Sequence, residues 1–204
     1  MNPQIVSCQE TAEPDADGWI MIQQRGQYGN SEDFFAKTFA EYKAGFGSVL
    51  REHWLGLDKL ASLTREWKWE LKVTLVDWAG GKYVAVFHNF RVGEGPRYEL
   101  EVGEFDKGAS NINGYIFMFH NRQAFSTMDN DQSYPRLNCS NKHGNGGWWY
   151  KNCYTSNLNG RNTPSRYIND EVTYSNDDGI TTINENIKIT SYKETKVEIR
   201  KLKL

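Results

Sequence analysis

The apolar positions of the chain follow two different periods. From Trp67 to Leu75 they alternate: Trp67, Trp69, Leu71, Val73 and Leu75 are separated by charged or polar residues. A period of two puts one set on each face of a strand, so this segment is expected in a half-buried antiparallel sheet. Ala79-Gly80-Gly81 turns the chain, and Tyr83–Phe90 returns as a second strand. Tyr98, Leu100 and Val102 mark a third strand and Ile116–His120 a short fourth. The chain end, 187–202, alternates again around Ile187, Ile189, Val197 and Ile199. Near the start, Gly18–Arg25 (GWIMIQQR) is β-prone and forms another expected strand. A helical period appears between these strands. Phe34, Phe35, Phe39 and Tyr42 share one broad face of a helix that Ser31 is placed to cap and Gly45-Phe46-Gly47 to stop. Leu57, Leu60 and Leu63 suggest a second short helix near Asp58–Thr64. Helices early, an antiparallel sheet in the middle and irregular structure late make the fold class α+β.

Composition narrows the function classes. The 204 residues include 7 Trp and 14% aromatics, enough for a large core despite few aliphatics. A net charge of -2 leaves no electrostatic footprint for nucleic acid or an acidic membrane. No apolar window reaches the length of a membrane span, so no membrane insertion is expected. The opening MNPQIVSC has no basic n-region and no long apolar run, so no signal peptide is visible; a mature secreted protein would read the same way. GxSxG, HExxH, phosphate-loop and dinucleotide fingerprints are missing, which argues against an enzyme. His53, His88, His120 and His143 are scattered, each more in keeping with packing or surface than with a catalytic base.

The stretch Phe125–Gly160 is different in kind. It is too rich in Gly, Asn and Ser for a regular element, yet it carries Cys139, Cys153 and the triplet Trp148-Trp149-Tyr150. Disordered segments lack such groups, so the stretch is expected to be an ordered loop that presents a binding site. Two cysteines in one polar loop suit a disulfide in an oxidising compartment. The rival is a zinc site from Cys139, His143 and Cys153, which lacks a fourth ligand and paired short spacings. Cys8 has no evident partner. Asp129-Asn130-Asp131 offers hard oxygen ligands of the kind calcium takes, although an EF-hand is excluded by Tyr134 in the glycine position and Ser140 in the glutamate position. The plainer reading makes both aspartates turn residues that accept backbone hydrogen bonds. Asn138-Cys139-Ser140 matches a glycosylation sequon with a cysteine in its middle.

Taken in order, GWIMIQQR, AEYKAGFG, HWLGL, LKVTLVDWAG, YELEVG, FSTMDND, GGWWYKNC and SNLNG resemble the fibrinogen-related domains. These are the C-terminal globular domains of fibrinogen chains, ficolins, tachylectins, tenascins and angiopoietins. DDGI and SYKETKVEIRK match more loosely, and the resemblance covers nearly the whole chain from Cys8. Residues 1–17, with Pro, Asp, Ala and Glu, read as a leader or the start of an N-terminal subdomain, and the resemblance implies a fibrinogen-related domain over 18–204 with a loop-rich binding part over about 104–204. It further implies a secreted, extracellular, non-catalytic recognition module with a glycan or a protein as ligand. Homo-oligomers would form through segments outside this chain. Cys8 matches the second cysteine of the family's N-terminal disulfide, whose first member would lie upstream.

The resemblance also assigns a site. Calcium would be held by the side chains of Asp131 and Ser133 and by the carbonyls of Pro135 and Leu137; Ser133 stands where the family usually has Asp, which lowers the charge and the affinity. Beside it, an acetyl-binding pocket would be drawn from His143, Tyr150, Asn152, Cys153 and Tyr154. Asn176 and Asp177, or in a rival alignment Tyr167, would form the far wall. A cis peptide at Asn152–Cys153 would shape that pocket. Tyr154 replaces the family's His and Thr182 a structural Trp, so acetyl specificity is not expected to carry over whole. Trp148 and Trp149 are expected mostly as core under the loop.

Overall fold

The computed structural model describes residues 8–9, 18–66, 68–133, 136–162, 180–183 and 189–202. Among these, the strands are β1 (Cys8–Gln9), β2 (Trp19–Arg25), β3 (Phe46–Gly47), β4 (His53–Trp54), β5 (Trp69–Asp77), β6 (Lys82–Val92), β7 (Leu100–Glu101), β8 (Ser156–Asn157), β9 (Thr181–Ile183) and β10 (Ile189–Lys201). The helices are α1 (Phe39–Ala44), α2 (Leu57–Leu63), α3 (Tyr115–Met118) and α4 (Cys139–Lys142). The main path of the sheet runs β3-β4-β2-β10-β5-β6-β7, with β1 on β2 and the pair β8–β9 continuing from β10.

The alternation read around Trp69–Leu75 specifies this sheet. Leu71, Val73 and Leu75 are fully buried, and Val197 and Ile199 of β10 lie opposite Val73 and Leu71 in register. The intervening residues build a polar outer face. Lys72 pairs with Glu198 at 3.0 Å and Arg200 with Glu70 at 2.5 Å, while Lys72 and Arg200 both lie over the Trp19 ring. A one-residue register slip would exchange the two faces, so burial of one set fixes the pairing. The last strand in sequence, β10, sits between β2 and β5 in the middle of the sheet.

Three expected elements differ. The first helix begins at Phe39 and not after Ser31. Thr38 is its N-cap, with Glu41 completing a capping box in which each side chain bonds the other's backbone N–H. That Thr-x-x-Glu box satisfies two orphan donors at once, which Ser31 has no partner to do. Residues 31–36 instead form turns, with Phe34 N–H on Ser31 O and Ala36 N–H on Asp33 O. The strand expected at Ile116–His120 is the helix α3. Ile116, Phe117 and His120 all point inward, a helical spacing that five residues cannot separate from alternation. The strand expected at Tyr98–Val102 shrinks to β7, because Tyr98 has φ 45° and cannot continue a ladder.

Candidate functional site

The aromatic triplet forms a floor. Trp148, Trp149 and Tyr150 are buried in a cluster with Tyr42, Trp54, Phe117 and Phe125. Backbone bonds in both directions tie Ser126 to Trp148, and the Trp149 indole donates to Tyr98 O at 2.7 Å. The Tyr150 hydroxyl donates to Gly146 O at 2.8 Å within the core. Tyr150 therefore supports the loop from beneath and does not reach the surface, contrary to its expected place in the lining. The two Trp side chains are core, as expected. A side chain at Gly146 would collide with the Asn159 carbonyl, and one at Gly147 would meet the Phe125 and Tyr42 rings at 2.7 Å. These glycines let the loop approach the protein's own interior, not an outside partner.

SNLNG is the polar keystone of this region. Asn157 Nδ2 donates to His143 O at 2.9 Å and Asn159 Nδ2 to Gly147 O at 2.8 Å. From the sheet, Gln23 Nε2 donates to Leu158 O at 2.9 Å and Arg25 Nη1 to Gly160 O at 2.6 Å. Arg25 is buried and paired with buried Glu52 at 2.7 Å. Buried charges persist only when paired and hydrogen-bonded, so Glu52 holds the guanidinium whose bond to Gly160 O bolts β2 to the loop region.

His120 was not singled out by sequence, where it is one of four scattered histidines. Its Nδ1 donates to Trp149 O at 2.8 Å, which leaves Nε2 to accept the N–H groups of Thr155 at 3.3 Å and Ser156 at 3.1 Å. Burial pushes its pKa down to about 4, so the ring is neutral at neutral pH. One imidazole thus fixes both strands of chain that flank Cys153.

Cys139 and Cys153 form a disulfide with a Cα–Cα distance of 5.4 Å, which removes the zinc alternative. On its outer side the His143 and Tyr154 rings meet edge to face at 4.8 Å. Asn152 and Lys151 are exposed, Cys153 and His143 are half-buried and Tyr154 is buried. His143, Asn152, Cys153 and Tyr154 are thus brought together; Tyr150 lies below them. Tyr167, Asn176 and Asp177 lie outside the described residues. The Asn152–Cys153 peptide is trans, a correction to the expected cis bond: among the described residues the cis peptide is Gly95–Pro96. A non-proline cis bond costs about 3–4 kcal/mol and needs surroundings that impose it.

Two exposed side chains adjoin this rim and carried no sequence signal, since each is a single apolar residue. Tyr115 and Met118 of α3 are 47% and 48% exposed. Thr155 Oγ1 donates to Tyr115 O at 3.2 Å, and the Lys151 ammonium lies 5.1 Å from the centre of the Phe119 ring. The rim therefore runs from the disulfide across Lys151 onto α3.

The residues of the expected calcium site have protein partners. Asp129 Oδ1 accepts the Phe39 N–H at 2.9 Å and the Thr127 hydroxyl at 2.7 Å, tying the loop to the start of α1. Asp131 Oδ1 accepts the Ser133 N–H at 3.0 Å and the Ser133 hydroxyl at 2.5 Å, and Oδ2 accepts the Asn138 N–H at 3.0 Å. Leu137 donates its N–H toward Ser133 Oγ at 3.4 Å, and Pro135 lies outside the described residues. No cluster of three His, Cys, Asp or Glu side chains that could hold a metal occurs among the described residues. Calcium takes six to eight oxygens, several of them carboxylate. Among the described residues this set brings one carboxylate, with both oxygens already taken by N–H and O–H donors, and these residues do not fit the ion.

Comparison with known proteins places this geometry. Residues 2–202 match the model of the fibrinogen beta and gamma chains, C-terminal globular domain. Techylectin-5A of Tachypleus tridentatus is 37% identical over 149 residues, 72% of this chain and 49% of that protein. Human Ficolin-3 is 39% identical over 145 residues, 71% of this chain and 46% of its own. The chain thus spans about half the length of these relatives. Among solved structures, the fibrinogen-like globe domain of human ANGPTL6 superposes with a TM-score of 0.79 at 31% identity, covering 94% of this chain and 82% of that one. Lamprey fibrin D-dimer, complexed with the peptide Gly-His-Arg-Pro-amide, gives 0.78 at 25% identity, covering 96% and 64%. No helix among the described residues is long and apolar enough to cross a membrane. With its α+β sheet, its stapled loop and these relatives, the chain belongs to the fibrinogen C-terminal globular domain family, whose members are recognition modules and not enzymes.

Proposed function

We propose that this chain is an extracellular, lectin-like recognition domain that binds glycans through the rim of the Cys139–Cys153 loop, within the part from about residue 104 to 204. The observation that carries this reading is the preorganised rim. His143, Asn152, Cys153 and Tyr154 stand on a loop closed by a disulfide and floored by Trp148 and Trp149, so little entropy is lost when a ligand docks. The His143 and Tyr154 rings pack edge to face, and on this reading they occupy the place that the resemblance gives to a small acetyl group. The ligand is therefore expected to be larger than a single N-acetyl sugar and to spread over Asn152 and Lys151. Glycan-array binding of the purified domain, with and without chelator, tests the class of ligand. Asn152→Ala and His143→Ala are expected to weaken any retained glycan about tenfold, the effect of losing one or two hydrogen bonds. Retention unaffected by both substitutions would remove the site from this rim. Tyr154→His, which takes away the filling phenol, is expected to raise retention on N-acetylglucosamine beads.

A second reading is favoured by Tyr115 and Met118. Two exposed apolar side chains on one helical turn beside the same rim suit a protein surface better than a sugar. Under that reading the array stays blank, and Tyr115→Ala with Met118→Ala abolishes capture of the protein partner.

A further inference from the structure

The misfit between the expected calcium site and the residues present has a constructive side. Three donors converge on Asp131: the Ser133 amide, the Ser133 hydroxyl and the Asn138 amide. They come from Ser133, two residues on, and from Asn138, seven residues on, so the carboxylate ties those two positions together. Asn138 is the residue before α4 and holds a left-handed conformation with φ 52°, which starts the helix carrying Cys139. Ser133 is 4% exposed, and its hydroxyl gives its proton to half-buried Asp131. Bonds to an ionised acceptor are about twice as strong as neutral ones. A cation in the same turn would gather oxygens; here the turn gathers N–H and O–H groups around one oxygen pair, the opposite polarity. A serine serves that arrangement because it brings a donor, where an aspartate would bring a second negative charge against Asp131.

We infer that the Asp131–Ser133–Asn138 hydrogen-bond clamp stands in for the cation, so that Ser133, Asn138 and the disulfide-bearing helix α4 hold their positions without calcium. The clamp acts whatever the rim binds. Ser133 is then a positioning residue and not a weakened ligand.

Thermal unfolding of the disulfide-intact domain in calcium and in EGTA tests this. The unmodified protein is expected to melt at the same temperature in both and to give no saturable heat on calorimetric titration with calcium chloride. A filled calcium site at a hundred times its Kd would instead raise Tm by about 5–10 °C, and such a rise overturns the inference. Asp131→Asn, which keeps the shape and loses the charge, is expected to lower Tm by about 5 °C equally in both media. An unchanged Tm for this variant also overturns it. Ser133→Asp sets two carboxylates together and is expected to melt below the unmodified protein in EGTA and to regain stability in calcium. Indifference of that variant to calcium would show that position 133 does not choose between clamp and ion. If Asp131→Asn fails to fold, the calcium titration of the unmodified protein and the Ser133→Asp pair of melts still decide.

Discussion

Across β5, β6 and β10, strands pair edge to edge and bury alternate side chains, while between Phe125 and Gly160 one short helix, α4, and the two-residue strand β8 are held mostly by side-chain bonds to backbone. Leu71, Val73 and Ile199 make no polar contact through their side chains; the sheet owes its stability to apolar area removed from water. In the loop region Ser126, Ser140, Asn157, Asn159 and His120 are buried polar groups, each bonded to a backbone atom. The first kind of structure tolerates exchange among apolar residues of similar size. The second does not, because each substitution leaves a buried partner unsatisfied at about 1–3 kcal/mol. A rim built the second way is held in place with little regular structure running through it.

The largest test of this contrast strikes the bolt between the regions. Arg25→Met or Glu52→Gln strands one buried charge and is expected to cost about 3–5 kcal/mol in chemical unfolding. The double variant Arg25→Met, Glu52→Leu should recover part of that loss, since no charge is then left unpaired. A double variant as unstable as either single one would mean that the Gly160 bond, not the pair, joins the halves.

Acid should loosen the loop region before the sheet. His120 titrates near 4 in the fold and near 6.5 when unfolded, so the unfolded chain binds more protons between those values. Its contribution is complete above about pH 6.5, falls as pH drops, and is lost by about pH 4, a total of about 3 kcal/mol. Protonation at Nε2 would set a donor against the Thr155 and Ser156 N–H groups. Hydrogen exchange at Thr155 and Ser156 measured from pH 7 to pH 4 should speed up ahead of that at Leu71 and Val73. His120→Gln should flatten that part of the stability profile.

Reducing the Cys139–Cys153 bridge, or replacing it by Cys139→Ser with Cys153→Ser, is expected to cost about 2–3 kcal/mol. The loss should show as faster exchange within 139–154 while β5 and β10 keep their protection. The smallest effect belongs to the cap. Thr38→Ala removes one side of the capping box with Glu41 and should lower stability by about 1 kcal/mol, with α1 fraying and the Asp129 contact to the Phe39 N–H weakened.

Legibility divides along the same line. Leu71, Val73 and Leu75 announce their strand because a period of two is a statement about which face is buried. Where only a few residues carry the signal, the reading fails. Ile116–His120 reads equally as strand or helix, and the paired phenylalanines at 34 and 35 extend an apolar face that points to a cap at Ser31, whereas the chain uses them in turns. In the loop, the cysteines and the tryptophans were readable as types, but not which way they point. Tyr150 turns down to the Gly146 carbonyl, and the glycines beside it admit Asn159 and Phe125 from within.

By itself, the sequence determined the alternating strands, the aromatic core, the loop rich in glycine and asparagine, and through its motifs the family. Only the tertiary structure decided that the last strand, β10, enters the middle of the sheet, that His120 donates to the Trp149 carbonyl and accepts from the Thr155 and Ser156 amides, and that Asp131 spends its charge on Ser133 and Asn138. The reason is range. Periodicity and capping act within a few residues and are written in the order of the chain. The partner of a buried polar group lies up to 172 positions away, as Thr195 does from Gln23, and is fixed only when packing brings the two together.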